Sequence, residues 1–119
     1  MPRTKGGFKT RQRRKKILKA AKGYWGGKHR LFQSATEAVD RARKYSYRDR
    51  RTRKRDFRRL WIARINAGTR LNDMSYSTFI NGLSKAGVEI NRKILSELAV
   101  TDQQAFAKIT EIAREGLAL

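Results

Sequence analysis

In the second half of the chain, apolar residues recur at the three- and four-residue intervals of an α-helix. One such stripe predicts a helix from near Ser75 to near Gly87. Asn91 is a good N-cap and predicts a second helix after it. The capping box Thr101-Asp102-Gln103-Gln104 predicts a third helix that runs to Gly116. No segment alternates with period two, so the predicted fold class is all-α.

The first half predicts helices with little to bury. Residues 1–9 indicate an extended basic tail, and residues 10–22 a short helix that Gly23 terminates. Ser34-Ala35-Thr36-Glu37 matches a capping box. From there no Gly or Pro occurs before Gly68, which predicts a helix of about 33 residues, roughly 50 Å long. Gly68-Thr69 could end it earlier.

The long predicted helix changes character along its length. Its middle, residues 48–55, has no apolar side chain, so no protein core supports it there. Beyond residue 55 an apolar stripe begins, formed by Phe57, Leu60, Trp61, Ile65 and Leu71. Together with Phe79 and Phe106, this stripe predicts the core. We therefore expect a long basic helical N-terminal arm, residues 1–56, joined to a small C-terminal helical bundle, residues 57–119.

The charge distribution separates the two halves most sharply. The chain of 119 residues carries a formal net charge of +20. Residues 1–59 hold 23 Lys and Arg against 4 Asp and Glu, a net of +19, whereas residues 60–119 hold 7 against 6, a net of +1. Charge of this size favours a polyanionic partner. We expect residues 10–22 to stay largely unfolded until phosphates neutralise their repulsion.

The run from Arg48 to Arg59 is the strongest candidate for binding nucleic acid. A merely solvated helix face normally interleaves acids that form i,i+4 pairs, and this run has few. Arginine dominates it, and the planar guanidinium suits phosphate oxygens and stacks on bases. Cations on every side of a rod indicate burial inside a polyanion.

Several other residues interleave with these charges and leave two interpretations open. The rings of Tyr24, Trp25, Phe32, Tyr45 and Tyr47 could stack on unpaired RNA bases or pack the break between the arm helices. The Gly-Gly pairs at 6–7 and 26–27 indicate close approach to phosphate or sharp bends. His29 has no second ligand beside it, so we expect it to contact backbone or phosphate.

The sequence offers no catalytic or metal-binding constellation. There is no cysteine, no carboxylate pair in an apolar setting, no Ser/His/Asp spacing and no phosphate-loop motif. Asp40, Asp49 and Asp56 are expected to pair with arginines or to tune helix charge. We therefore predict no enzyme activity, cofactor, metal or small-molecule substrate. No membrane span or secretory signal is apparent either, and a cytoplasmic location is expected.

Particular strings of residues resemble one family. Gly23-Tyr24-Trp25-Gly26, the strings at 45–51 and 54–67, Ser75-Tyr76-Ser77-Thr78-Phe79 and the Asn91-Arg92-Lys93 turn are similar to bacterial large-subunit ribosomal protein twenty. The likeness extends from end to end. Gly68-Thr69 departs from it, since another Ala or two would be expected there.

The resemblance implies a binder of 23S ribosomal RNA that acts early in assembly of the large (50S) subunit beside neighbouring ribosomal proteins. In that family the arm threads between RNA helices, and some members repress their own operon. The candidate RNA-binding residues are Arg3, Lys5, Lys9, Arg11, Arg13, Arg14, Lys15, Lys16, Lys19, Lys22, Tyr24, Trp25, Lys28, His29, Arg30, Arg48, Arg50, Arg51, Arg53, Lys54, Arg55, Arg58 and Arg59.

Two other functions share the same charge and helicity. A chromatin-like DNA-compacting protein would also be basic and helical, and competition with duplex DNA distinguishes it from an RNA scaffold. A membrane-active cationic helix is disfavoured because the basic arm lacks a continuous apolar face.

Overall fold

The structure is a computed structural model that describes all 119 residues and contains five α-helices and no strand. The predicted all-α class, with one long helix and a small C-terminal bundle, is confirmed. A short 3-10 turn, Gly26–His29, separates the first two helices. The helices are α1 Lys9–Ala20, α2 Phe32–Leu71, α3 Tyr76–Lys85, α4 Arg92–Thr101 and α5 Gln103–Ala118.

The chain divides into two compact units, Met1–Arg51 and Thr52–Leu119. Helix α2 is continuous through the boundary. The domain assignment from the sequence, 1–56 and 57–119, stays a prediction. The two units are described separately below.

The core of the second unit lies among α2, α3, α4 and α5. Phe79 and Phe106 are fully buried, and their ring centroids lie 5.4 Å apart at an interplanar angle of 38°. Such a tilted pair is favourable beyond the area it buries, and each buried large side chain contributes about 1.5–3 kcal/mol. The remaining buried members of this cluster are Ile65, Leu83, Leu95 and Ala113.

Two glycines let α3 and α5 approach at backbone distance. A Cβ on Gly82 would collide with the carbonyl oxygen of Ala113, and one on Gly116 would lie 2.5 Å from the carbonyl oxygen of Gly82. The prediction that Gly116 ends the last helix is therefore wrong, because α5 continues to Ala118. Gly116 is in the helix to permit contact.

The predicted boundaries of the long helix are wrong at both ends. The helix starts at Phe32, and an early backbone hydrogen bond joins the Ala35 amide to the Leu31 carbonyl at 2.8 Å, so Ser34 lies inside the first turn and not at a capping box. It also passes through Gly68, where a Cβ would lie 2.9 Å from the Phe106 ring. Gly68 admits that ring rather than ending the helix.

The apolar stripe predicted along α2 is buried only in part. Ile65 is fully buried, but Phe57, Leu60 and Leu71 are 46%, 42% and 75% exposed, and Trp61 is half-buried. None of these four exposed or half-buried side chains belongs to the buried cluster around Phe79 and Phe106. The prediction that Trp61 belongs to the core is therefore wrong.

The short helices have caps that agree more closely with the sequence. The Ser75 side chain accepts from the Thr78 amide, and Asn91 Oδ1 accepts from the Ile94 amide at 2.9 Å. The predicted cap at Thr101 is wrong by one residue, since Asp102 accepts from the Ala105 amide at 3.0 Å. The Thr101 hydroxyl instead donates to the carbonyl of α4 residue Glu97.

Helices α3 and α2 end in the same way: a residue with left-handed backbone follows the helix, and the next amide donates to a carbonyl five residues earlier. After α3, Gly87 has φ +75°, and the Val88 amide donates to the Leu83 carbonyl at 3.0 Å. After α2, Asp73 occupies the equivalent left-handed position with φ +56°, and the Met74 amide donates to the Thr69 carbonyl at 3.0 Å. Asp73 is the one non-glycine residue with positive φ.

The close helix contact gives a prediction with an unusual sign. Gly→Ala inside a helix ordinarily stabilises by about 0.5–1 kcal/mol. We expect Gly82→Ala to destabilise by about 1–3 kcal/mol, because the new methyl group forces α3 and α5 apart. Urea denaturation measures this change. Ser84→Ala, on the exposed side of α3, should stay within about 0.5 kcal/mol of the parent. A higher midpoint for Gly82→Ala would contradict the contact.

The strained aspartate gives a second prediction. Asp73→Gly should stabilise the chain by about 1 kcal/mol, since glycine adopts the left-handed conformation without steric cost. Asp73→Ala, which also removes the carboxylate, should give no gain. Thermal denaturation of both variants separates the backbone effect from the charge effect. Equal melting temperatures for Asp73→Gly and Asp73→Ala would contradict the predicted backbone strain at Asp73.

Candidate nucleic-acid interface

The cations of the arginine run of α2 are exposed to solvent. Every Lys and Arg from Arg48 to Arg59 is exposed, as the lack of apolar residues in this stretch requires. At 100° per residue the cations cover more than half of the helix circumference. Asp49, Thr52 and Asp56 occupy the remaining sector, so the prediction of cations on every side needs this correction.

Internal ion pairs do little to neutralise the run. Arg48 Nε lies 3.2 Å from Asp49 Oδ1, but both side chains are 63% exposed. Such a pair contributes less than about 1 kcal/mol. Of the two roles expected for the aspartates, pairing with arginine is found for Asp49 alone; no ion pair involves Asp40 or Asp56, for which an effect on helix charge stays the prediction. Several arginines of the run form no ion pair either: Arg50, Arg53, Arg55, Arg58 and Arg59.

Several arginines of the first unit lie over aromatic rings of the same unit. The Arg48 guanidinium lies 4.6 Å from the Tyr45 ring centroid, and that of Arg51 lies 5.0 Å from the Tyr47 ring. These are cation–π contacts between helix neighbours three and four residues apart. In the same way Arg13 and Arg14 approach the Phe32 ring at 5.7 and 5.3 Å. These rings therefore contact arginines of their own chain.

A small apolar cluster within the first unit positions α1. Ala21, Ala35 and Val39 are at most 2% exposed and pack together, with Ile17 and Leu18 of α1 partly buried against them. The cluster is small, in keeping with the prediction that the first half has little to bury, but it gives α1 a contact within its own chain. The small residues at the start of α2 give α1 a close packing surface, while its cations stay exposed.

The turn after α1 presents an unpartnered ring. Tyr24 packs on the apolar cluster, and its carbonyl accepts a 2.8 Å hydrogen bond from His29 Nδ1, the backbone contact expected of this histidine. Gly26, with φ +61°, lets the chain bend there. Trp25 is 89% exposed and borders a groove of about 580 Å³. Of the five rings considered above, Trp25 alone contacts neither an arginine of the chain nor the apolar cluster.

Most of the candidate RNA-binding residues are accessible. All are exposed except Tyr24, which is half-buried. Three further cations of α2 that were not predicted to bind RNA are also exposed, namely Arg41, Arg43 and Lys44, and Arg41 lines the groove beside Trp25. Their charge alone could have identified them. Whether each of these residues binds RNA stays a prediction.

Other kinds of site find little support in this structure. His, Asp and Glu side chains form no group of three that could hold a metal ion. No helix combines the length and apolar character needed to cross a bilayer. The exposed groups of the interface are cations and rings, which suit phosphates and bases.

Comparison with known proteins gives one consistent result. The family model for ribosomal protein L20 matches residues 3–109. The chain is 62% identical over 117 residues to large ribosomal subunit protein bL20 of Trichlorobacter lovleyi, covering 98% of this chain and 100% of that one. The proteins of the same name from Desulfotalea psychrophila and Geobacter metallireducens are 63% identical over 115 residues and 61% over 114, with at least 96% of each chain covered.

The apolar cluster of the first unit predicts how α1 is held. Val39→Asp places a charge in a closed site, so α1 should lose its packing surface. Backbone amides of Ile17 and Leu18 should then exchange with solvent about tenfold faster or more, as expected for loss of one buried valine. Gln33→Asp adds the same charge at an exposed position of α2 and should change nothing. Unaltered exchange in Val39→Asp would show that the cluster does not hold α1.

Proposed function

Since the chain belongs to the ribosomal protein L20 family, and is thus a structural constituent of the ribosome rather than an enzyme, we propose that its basic first half binds 23S ribosomal RNA and promotes early assembly of the 50S subunit. The observation that carries the proposal is the exposed arginine run of α2, with few acids to neutralise it. Its partners are 23S RNA and neighbouring large-subunit proteins, in the cytoplasm.

The mechanism is electrostatic condensation. RNA helices that pack together repel one another through their phosphates, and mobile cations must otherwise concentrate between them. Arginines fixed on α2 replace those ions, and the released ions gain entropy. The guanidinium forks donate two parallel hydrogen bonds to phosphate oxygens, so they also fix the register of the rod. Assembly would begin where this rod holds two RNA helices together.

The rings have a separate part in this mechanism. Trp25 is exposed and can stack on an unpaired base. Such a contact distinguishes an unpaired base from a paired one, which contacts to phosphate alone cannot do. Phe32, Tyr45 and Tyr47 act through the arginines that lie on them. DNA compaction shares the electrostatic part of the mechanism, but membership of a ribosomal protein family favours RNA.

The salt dependence of binding tests the arginine run. With about ten phosphate contacts, the slope of log K against log salt is roughly −7 to −9. Replacing Arg50, Arg51, Arg53, Arg55, Arg58 and Arg59 by Ala should reduce its magnitude by about 4–5 and weaken binding to 23S RNA. Alanine is the best helix former, so α2 should persist. Filter binding across a salt series measures both effects.

A smaller matched pair of variants separates position from charge. Arg50, Arg53 and Arg55 to Ala should reduce the slope, whereas Arg64, Arg70 and Lys85 to Ala removes the same charge at exposed positions outside the run and should change it little. Equal slopes for the two triple variants would remove the run from the mechanism. Excess duplex DNA at physiological salt should leave the RNA complex intact, and displacement by DNA would favour the compaction function.

A further inference from the structure

Phe57 and Trp61 form an exposed aromatic pair on the second unit. They stand four residues apart on α2, their ring centroids lie 6.1 Å apart and the rings are inclined by 32°. Their spacing continues the apolar stripe toward Ile65, but the bundle does not cover them: Phe57 is 46% exposed and Trp61 half-buried. The bundle core is complete without them, so folding alone does not account for this pair.

The pair lines a groove whose other walls are all cationic. The groove is open to solvent, has a volume of about 430 Å³ and is bordered by Arg53, Lys54 and Lys93. The first two lie one turn before Phe57 on α2, and Lys93 comes from the first turn of α4. No acid lines it. Two segments far apart in sequence thus bring three cations to one aromatic surface.

Other grooves of the same unit have different chemistry. One of about 350 Å³, bordered by Gly68, Leu71 and Phe106, has no charged residue in its lining. Another of about 240 Å³ has both Glu89 and Arg92 at its edge. The groove at Phe57 and Trp61 therefore differs from its neighbours in combining ring faces with charge of one sign.

The chemistry of this groove identifies the partner it fits. Apolar rings favour a flat, weakly hydrated group, and three cations without an acid favour a group that carries negative charge. An unpaired nucleotide has both, as an aromatic base joined to phosphate. A base within a duplex does not fit, because its faces are already stacked. The volume also lies within the range of sites that take a small organic group.

We propose that this groove binds one unpaired nucleotide of RNA, with its base against Phe57 and Trp61 and its phosphates on Arg53, Lys54 and Lys93. This site deepens the proposed function and depends on RNA being the partner. It assigns base contacts to the second unit, whereas the arginine run supplies phosphate contacts. The site would fix where along the RNA the rod comes to lie.

Trp61 fluorescence tests the site in the full chain. In Trp25→Phe, Trp61 is the single tryptophan. Single-stranded RNA of about eight nucleotides should quench its emission, while an abasic strand of equal length and charge should not. Trp61→Ala should reduce the preference for the base-containing strand by about 5- to 100-fold, the range expected when one stacked base is lost. Competition binding at fixed salt measures that preference.

Control variants separate stacking from folding and from charge. Trp61→Phe keeps a ring and should retain most of the preference. Leu60→Ala, an exposed apolar residue outside the groove lining, should keep all of it. Circular dichroism establishes that each variant is helical. Lys93→Ala should weaken binding of the base-containing and abasic strands alike, because it removes a phosphate contact.

Two results would overturn the proposal. One is equal response of Trp61 to the base-containing and abasic strands. The other is quenching by an acidic peptide as strong as that by RNA, which would make the groove a protein-docking surface. Neither result alters the salt slope of 23S RNA binding, which reports on the arginine run. Failure of this site and failure of the proposed function are thus distinguishable.

Discussion

Repulsion among the cations of α2 is the constraint on which the rest of this protein depends. Helix neighbours three and four residues apart lie about 5–6 Å from one another, well within the roughly 8 Å screening length at physiological salt. Internal acids relieve little of that repulsion, because Arg48 and Asp49 form the one ion pair of the run and solvent screens it. A polyanion removes the repulsion and supplies the attraction at once. A polyanion bound to this segment would therefore also stabilise its helix.

The C-terminal unit is stabilised by packing and helix caps within the chain. Its charge is nearly balanced over residues 60–119, and its core is centred on Phe79 and Phe106. Backbone contact at Gly82 and Gly116 brings α3 and α5 closer than side chains would allow. Side-chain caps at Ser75, Asn91 and Asp102 begin its three short helices. Packing within the chain thus maintains this unit, whereas the basic segment has only a small cluster of alanines and Val39.

Sequence patterns predicted the fold class, both ends of α3 and the start of α4, and the errors at α2 and α5 have identifiable causes. Asn91, Ser75 and Gly87 were identified because a cap or a left-handed residue acts locally. Gly68 and Gly116 were misread as helix ends because a glycine needed for a contact looks the same in sequence as one needed for a turn. Periodicity placed Phe57 and Trp61 on the same face as Ile65, but it cannot show where the covering helices stop. The charge of the candidate interface was evident from composition. The contacts of Arg48 and Arg51 with rings could have been found from their three- and four-residue spacing to tyrosines.

Those ring contacts have a consequence for the cost of recognition. A free arginine side chain samples many rotamers, and immobilising it costs about 1.5–2 kcal/mol. Arg48 lying over Tyr45, and Arg51 over Tyr47, have given up part of that freedom before any ligand arrives. Each would therefore bind a phosphate with a smaller entropic loss than an unrestrained arginine such as Arg50. Two tyrosines that need never touch RNA would thereby increase the protein's affinity for it.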